Sequence, residues 1–129
     1  MTYKLNVGED DVYGKGKYVN AKGNTECVVF VQQAAGAPPT ASWRRGQRVE
    51  DALPGAIPRG TVIATFDGDH YPTDSNGRHA AIYLSHDKTG IQVLDQWNAQ
   101  GEVKKRTIRF NRPKGTSRSN NGDTFYVVE

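Results

Sequence analysis

The chain reads as an α+β protein in which N-terminal helices pack on an antiparallel β-sheet, and two features of the pattern predict this. An apolar stripe at helical spacing occurs between residues 27 and 35, and from residue 61 onward it gives way to short β-prone runs bounded by turn residues. Helices first and strands later is the signature of segregated α and β layers. With 129 residues, 36% of them hydrophobic and 24% charged, the chain fits one domain over 1–129 with a modest core.

Residues 1 to 23 are rich in Gly, Lys and Asp with scattered Tyr, and suggest an irregular arm or short strand leading to the first helix. Asn24 or Thr25 can cap that helix. Cys27, Phe30, Val31, Ala34 and Ala35 then fall at i, i+3, i+4, i+7 and i+8, and Gly36 and Pro38 end it. A second, shorter helix is expected over residues 41 to 52, where Ser42 or Thr40 can cap and Trp43, Gln47 and Glu50 or Asp51 follow at helical spacing. Gly46 weakens it.

After a Pro- and Gly-rich turn region, residues 61 to 66 form a compact strand. Residues 67 to 78 are polar and turn-rich, and long enough to act as a flap or rim over a cleft. Three β-prone runs follow, 79 to 85, 91 to 97 and 105 to 110, and the chain closes on a fourth at Thr124-Phe125-Tyr126-Val127-Val128. The stretch from 112 to 123 reads as a surface loop.

The chemistry centres on Cys27. A thiol in the first turn of a helix faces unpaired backbone N–H groups and the positive end of the macrodipole, and both favour thiolate. To act as a nucleophile it needs a base and a group that aims the base. His79 opens one strand and Asp95 lies late in the next, with residues 86 to 90 as the hairpin loop between them. Paired positions summing to 176 make His79 and Asp95 diagonal neighbours on one face, with Trp97 opposite His79; a sum of 174 makes them direct partners; an odd sum puts them on opposite faces. A helix packed on that shared face would bring Cys27 to the imidazole. The Cys27 backbone N–H is then a natural oxyanion donor, and Tyr18 and Asn24 are the upstream side-chain alternatives for a second. Gln96 and Asn98 are alternatives to Asp95.

Charge adds one further feature. The net charge is +3, but Lys104, Lys105, Arg106, Arg109, Arg112, Lys114 and Arg118 lie in a stretch from 103 to 122 without an acid, which fits either a solvated strand face or an anionic partner. Aromatic residues for stacking on bases are not interleaved there, which argues against nucleic acid. The first six residues lack the apolar run of a signal peptide and no stretch approaches the about 20 apolar residues of a membrane span, so a soluble protein made without a leader is expected.

The order of these blocks resembles the NlpC/P60 and CHAP groups of papain-like peptidoglycan amidases. Residues 23 to 31 resemble the family's small-residue, Cys, apolar helix block. Ile57-Pro58-Arg59-Gly60 and the strand after it are similar to its Pro-x-Gly strand, Gly77-Arg78-His79 and the run to Leu84 to its Gly-x-His strand, and Val93-Leu94-Asp95-Gln96-Trp97 to its third-residue strand. Together they cover about residues 18 to 110. The resemblance implies the papain-like fold and a cysteine amidase or endopeptidase cutting amide bonds in peptidoglycan stem peptides, commonly at D-glutamate or D-alanine, without metal or other cofactor. Cys27 and His79 carry over directly; at the place of Asp95 the family uses His, Asn, Glu or Asp, and Trp97 stands where a polar residue is also common in CHAP domains. Tyr18, Asn24 and Trp97 are the candidate substrate-binding residues. A chain reduced to such a catalytic unit resembles antibacterial effectors of the type VI secretion kind, which implies export to the periplasm of a target cell and a cognate immunity protein.

Two other classes compete. One is a non-catalytic binding protein on the same fold, with Cys27 buried and the basic stretch gripping an anionic partner. The other is a metal protein using Cys27 and His79 with His70, Asp67 or Asp69 as a further ligand. That ranks last, because Asp67-Gly68-Asp69 begins like a calcium loop but Pro72 stands where Gly is needed and no closing Glu follows.

Overall fold

The computed structural model describes residues 1–74 and 77–129. Its frame is a six-stranded antiparallel sheet of β1 (Arg45–Arg48), β2 (Val62–Thr65), β3 (Ala80–His86), β4 (Gly90–Asp95), β5 (Lys104–Arg109) and β6 (Phe125–Val128), in the order β1-β6-β2-β3-β4-β5. Two helices precede it, the single-turn α1 (Glu9–Val12), which lies in the arm expected to be irregular, and α2 (Cys27–Ala35). No helix among the described residues is long and apolar enough to cross a membrane.

Alternation along the strands builds a core on each face. Val62 and Ala64 of β2 and Ala80, Ile82 and Leu84 of β3 pack with Phe30, Val31 and Ala34 of α2. The intervening Ile63, Ala81 and Tyr83 join Ile91, Val93, Ile108, Phe125 and Val127 on the other face, which Val49, Ala52 and Ile57 close. The end of α2 follows the expected chemistry: Gly36 adopts the left-handed conformation at φ 68°, and the N–H groups of Gly36 and Ala37 close on the Gln32 and Val31 carbonyls. Its start differs. Glu26 is the N-cap, without a side-chain cap bond; Asn24 is exposed, and the Thr25 hydroxyl donates instead to the Trp97 carbonyl at 3.2 Å.

The expected helix over 41 to 52 is absent. A short 3-10 turn at Thr40–Ser42 leads into β1, and a second at Val49–Asp51 follows it. The C-terminal strand β6 offers β1 a backbone ladder, and Trp43 is buried with its indole N–H on the Pro38 carbonyl at 2.8 Å, so tertiary pairing overrides a weak local helical pattern.

The β3–β4 hairpin carries a register change. Next to its turn the pairs are His86 with Ile91 and Ser85 with Gln92, an odd sum; beyond a bulge at Leu84 they are Tyr83 with Val93 and Ile82 with Leu94, which sum to 176. The bulge therefore restores the register that puts His79 and Asp95 on one face. Of the predicted rim over 67 to 78, residues 75 and 76 lie outside the described residues; in the remainder Asp67 and His70 pair in a tight turn and Tyr71 is buried.

Gly46 gives a test of strand against helix at 41 to 52. A Cβ there would stand 2.8 Å from the Val127 carbonyl oxygen. In a helix, Gly46→Ala would stabilise by about 1 kcal/mol. In the observed strand it is expected to destabilise by about 1–2 kcal/mol, read as a lower midpoint in urea unfolding.

Candidate active site

The end of β4 and the residue before β3 create the polar centre. Backbone clamps fix His79: its N–H donates to the Thr65 hydroxyl at 3.0 Å, and the Thr65 N–H donates to its carbonyl at 2.9 Å. Parity along β3 places its ring with Ala81 and Tyr83, on the face away from α2, and its centroid lies 6.4 Å from that of Phe125. His79 Nε2 meets Asp95 Oδ2 at 2.7 Å, and Arg106 Nε donates to the same oxygen at 2.7 Å. Asp95 is completely buried and its Oδ1 has no hydrogen-bond partner among the described residues.

Cys27 does not reach this centre as expected. The helix packs on the opposite face of the sheet, so the thiol meets His79 at the sheet's end: Cys27 is the first residue of α2, and His79 sits just before β3 begins. Three groups oppose the effect of burial on the thiol. Burial raises its pKa, but the hydrogen bond and charge of His79, the Ala80 N–H and the Tyr71 hydroxyl outweigh it, and the net result is a lowered pKa. For His79, burial favours the neutral form, yet hydrogen bonds to Asp95 and Cys27 and their charges raise its pKa to about 9. Such a pair can exist as thiolate and imidazolium at neutral pH.

A cleft of roughly 350 Å³ opens over the thiol, lined by Glu26, Cys27, Tyr71, Arg78, His79 and Trp97 among others. Trp97, 37% exposed, forms a wall and stacks against the Arg106 guanidinium at 5.4 Å. The structure thus brings together Cys27, His79, Asp95 and Trp97. It leaves out Tyr18 and Asn24: Tyr18 is buried with its ring 5.2 Å from that of Phe30, and Asn24 faces solvent with its backbone tied to Asn20.

Three contributors were not assigned these roles from sequence. Tyr71 places its hydroxyl 3.8 Å from Cys27 Sγ, with Trp43 edge-on to its ring at 4.9 Å. Burial and the neighbouring thiol both raise its pKa, so it stays a donor. Arg106 was legible only as part of a basic stretch; because Asp95 pairs with Lys104, it lies diagonal to Asp95, and the β4–β5 register would have identified it. Gln96, weighed as a replacement for Asp95, does something else. Its amide donates to the carbonyls of Tyr18 at 2.8 Å and Glu26 at 2.9 Å, holding the entry to α2. Among the described residues no three His, Cys, Asp or Glu side chains converge as a metal site would need.

Residues 3–128 match the family model described as Domesticated amidase effector 2. A protein of that name from Ixodes scapularis is 40% identical over 119 residues, 89% of this chain and 78% of the relative. A type VI secretion amidase effector 2 protein of Salmonella typhi is 37% identical over 114 residues, 81% of this chain and 84% of the relative. A solved structure of Type 6 secretion amidase effector 2 superposes with a TM-score of 0.80 at 32% identity, covering 97% of this chain and 93% of that one. The expectation of an α+β amidase effector is met.

The raised His79 pKa ties stability to pH. Its contribution is complete below the ordinary value of 6.5 and is lost as pH rises through about 9; that of Cys27 is complete above the ordinary value of 9.0 and is lost as pH falls through its lowered value. Asp95→Asn removes the charge nearest the imidazole. The His79 titration followed by NMR should then move down from about 9 toward 6.5; an unmoved titration would show that Asp95 does not hold the proton.

Proposed function

This chain belongs to the Domesticated amidase effector 2 family, and from that membership we propose that it hydrolyses amide bonds in peptidoglycan stem peptides with Cys27 as nucleophile. The observation that carries the cysteine mechanism is the line from Cys27 through His79 to Asp95 at the base of an open cleft. His79 Nε2 is engaged by Asp95, so Nδ1 is the nitrogen that accepts the thiol proton.

The thiolate attacks the amide carbonyl carbon, and the C=O electron pair moves onto oxygen. The Cys27 N–H, which has no intrahelical partner at the first helical position, donates to that oxyanion. Tyr71, rather than Tyr18 or Asn24, supplies the second donor; its hydroxyl is already beside the sulfur. Collapse breaks the C–N bond as imidazolium gives its proton to the leaving amine. Water, deprotonated by His79, then attacks the thioester, releasing the carboxylic acid and regenerating the thiol. Asp95, fixed by Arg106, keeps the imidazole oriented throughout.

Delivery follows the type VI effectors that the chain is similar to: export by a dedicated secretion system to the periplasm of a target cell, with a cognate immunity protein protecting the producer. Expression directed to the periplasm of a susceptible bacterium should lyse it, and Cys27→Ala should not.

Isolated sacculi incubated with wild type should release muropeptides cut at one type of amide bond, identified by mass spectrometry. Cys27→Ala is expected to lose about 10⁴-fold or more of that rate. Undiminished release would rule out the cysteine mechanism, and the absence of products from wild type across several wall chemistries would overturn the amidase reading. Tyr71→Phe should lower kcat by about 10- to 100-fold with little change in KM if its hydroxyl serves the oxyanion.

A further inference from the structure

Among the described residues of the cleft, one cation is uncommitted. Arg106 is held by Asp95, by the Ser119 carbonyl at 3.0 Å and by Asn120 Oδ1 at 3.2 Å; Arg118 pairs with Asp74 at 3.4 Å. Arg78 is exposed and makes no hydrogen bond or ion pair with any described residue. It immediately precedes His79, whose backbone is clamped on both sides by Thr65, so the origin of its side chain is fixed even though its tip is free.

Its position is equally informative. Three hollows meet at Arg78: the one over Cys27, a second beyond Trp97 lined by His79, Arg106, Ser119 and Asn120, and a third beside Tyr71 and Pro72. Together they make a groove through the reactive thiol with Arg78 at its middle. Among the described residues lining the thiol cleft the one carboxylate is Glu26, which already accepts from Asn20 Nδ2 at 3.1 Å and forms no ion pair with Arg78. Past the second hollow, Arg109 and Arg112 line a further depression with Arg106, so cationic side chains continue beyond the groove.

A guanidinium presents a planar fork of donors that matches a carboxylate bidentately, and it is less strongly hydrated than an ammonium. We propose that Arg78 is a carboxylate-binding residue on the rim of the Cys27 cleft, which selects substrates with a free carboxylate beside the amide to be cut. The proposal rests on the reading of Cys27 as nucleophile and assigns the chemical class of substituent that the groove accepts. Arg78 binds and orients; it takes no part in the proton transfers.

Two small alkylating agents test this without a wall substrate. Iodoacetate and iodoacetamide both place a carbon on the sulfur with loss of iodide, and they differ in the anionic group beside that carbon. The second-order rates at Cys27, measured by intact mass at pH 7, should give an iodoacetate-to-iodoacetamide ratio that falls about 5- to 10-fold in Arg78→Gln and is partly restored in Arg78→Lys. An unchanged ratio, or equal slowing with both reagents, would overturn the proposal. Wild type that reacts with neither reagent would instead overturn the nucleophile reading, and this proposal with it. On stem peptides matched except for carboxylate or carboxamide next to the cleaved bond, wild type should prefer the carboxylate by about tenfold in kcat/KM, and Arg78→Gln should abolish the preference. Cleavage of both peptides by wild type at equal rates would refute carboxylate selection while leaving the amidase reading intact.

Discussion

The rest of the site depends on one buried oxygen. Asp95 Oδ2 accepts from both His79 Nε2 and Arg106 Nε, at 2.7 Å each, inside a side chain with no exposure to solvent. An isolated buried carboxylate is strongly disfavoured, and burial of a charge is tolerated only where partners compensate it. Here the compensation comes from two strands: Arg106 on β5 and the imidazole at the head of β3. The strand order β3-β4-β5 is thereby coupled to the electrostatics of the site. Removing Arg106 would leave the imidazolium alone against the carboxylate. Removing the carboxylate would leave a partly buried guanidinium facing the imidazole.

How the pieces converge follows from strand parity. Asp95 and Gln96 are adjacent at the end of β4 and serve different segments: Asp95 engages the imidazole, and Gln96 grips the carbonyls of Tyr18 and Glu26, the second being the residue that precedes Cys27. One dipeptide therefore positions the His79 imidazole and the start of α2 together. The bulge at Leu84 lets the hairpin close in an odd register near its turn while keeping the even register where His79 needs it. A one-residue slip without that bulge would turn the whole set over.

Much of this was legible in the chain, and the failures have physical causes. Period and punctuation located α2 and its Gly36 terminus, the strands from β2 onward, and two even pairing sums of which 176 is the one that forms, because those signals are local or follow from a short hairpin. Residues 41 to 52 failed because β1 exists only through its pairing with β6, nearly eighty residues further on. Tyr18 and Asn24 were favoured by closeness in sequence to Cys27, and the chain folds past them: Tyr18 goes into the core beside Phe30. Tyr71 was missed for the opposite reason, since it lies 44 residues from the thiol it approaches and nothing in a polar loop marks one aromatic as buried. The face on which the helix packs could not be read either, because a thiol at a helix start and a histidine at a strand start can meet around the sheet's end as well as across its surface.

The two buried side-chain atoms without partners among the described residues, Asp95 Oδ1 and Gln96 Oε1, both belong to the dipeptide that organises the site. Folding alone would favour satisfying them, since an unpaired buried acceptor is destabilising by about 1–3 kcal/mol. Both residues instead direct their bonding to the elements that meet at Cys27: one Asp95 oxygen accepts from both His79 and Arg106, and the Gln96 amide donates to both carbonyls. An apolar pair at 95 and 96 would avoid those unmet acceptors, but it would release the imidazole and loosen the start of α2. The geometry around Cys27 is thus maintained against local stability, as expected where position rather than packing is what the residues supply.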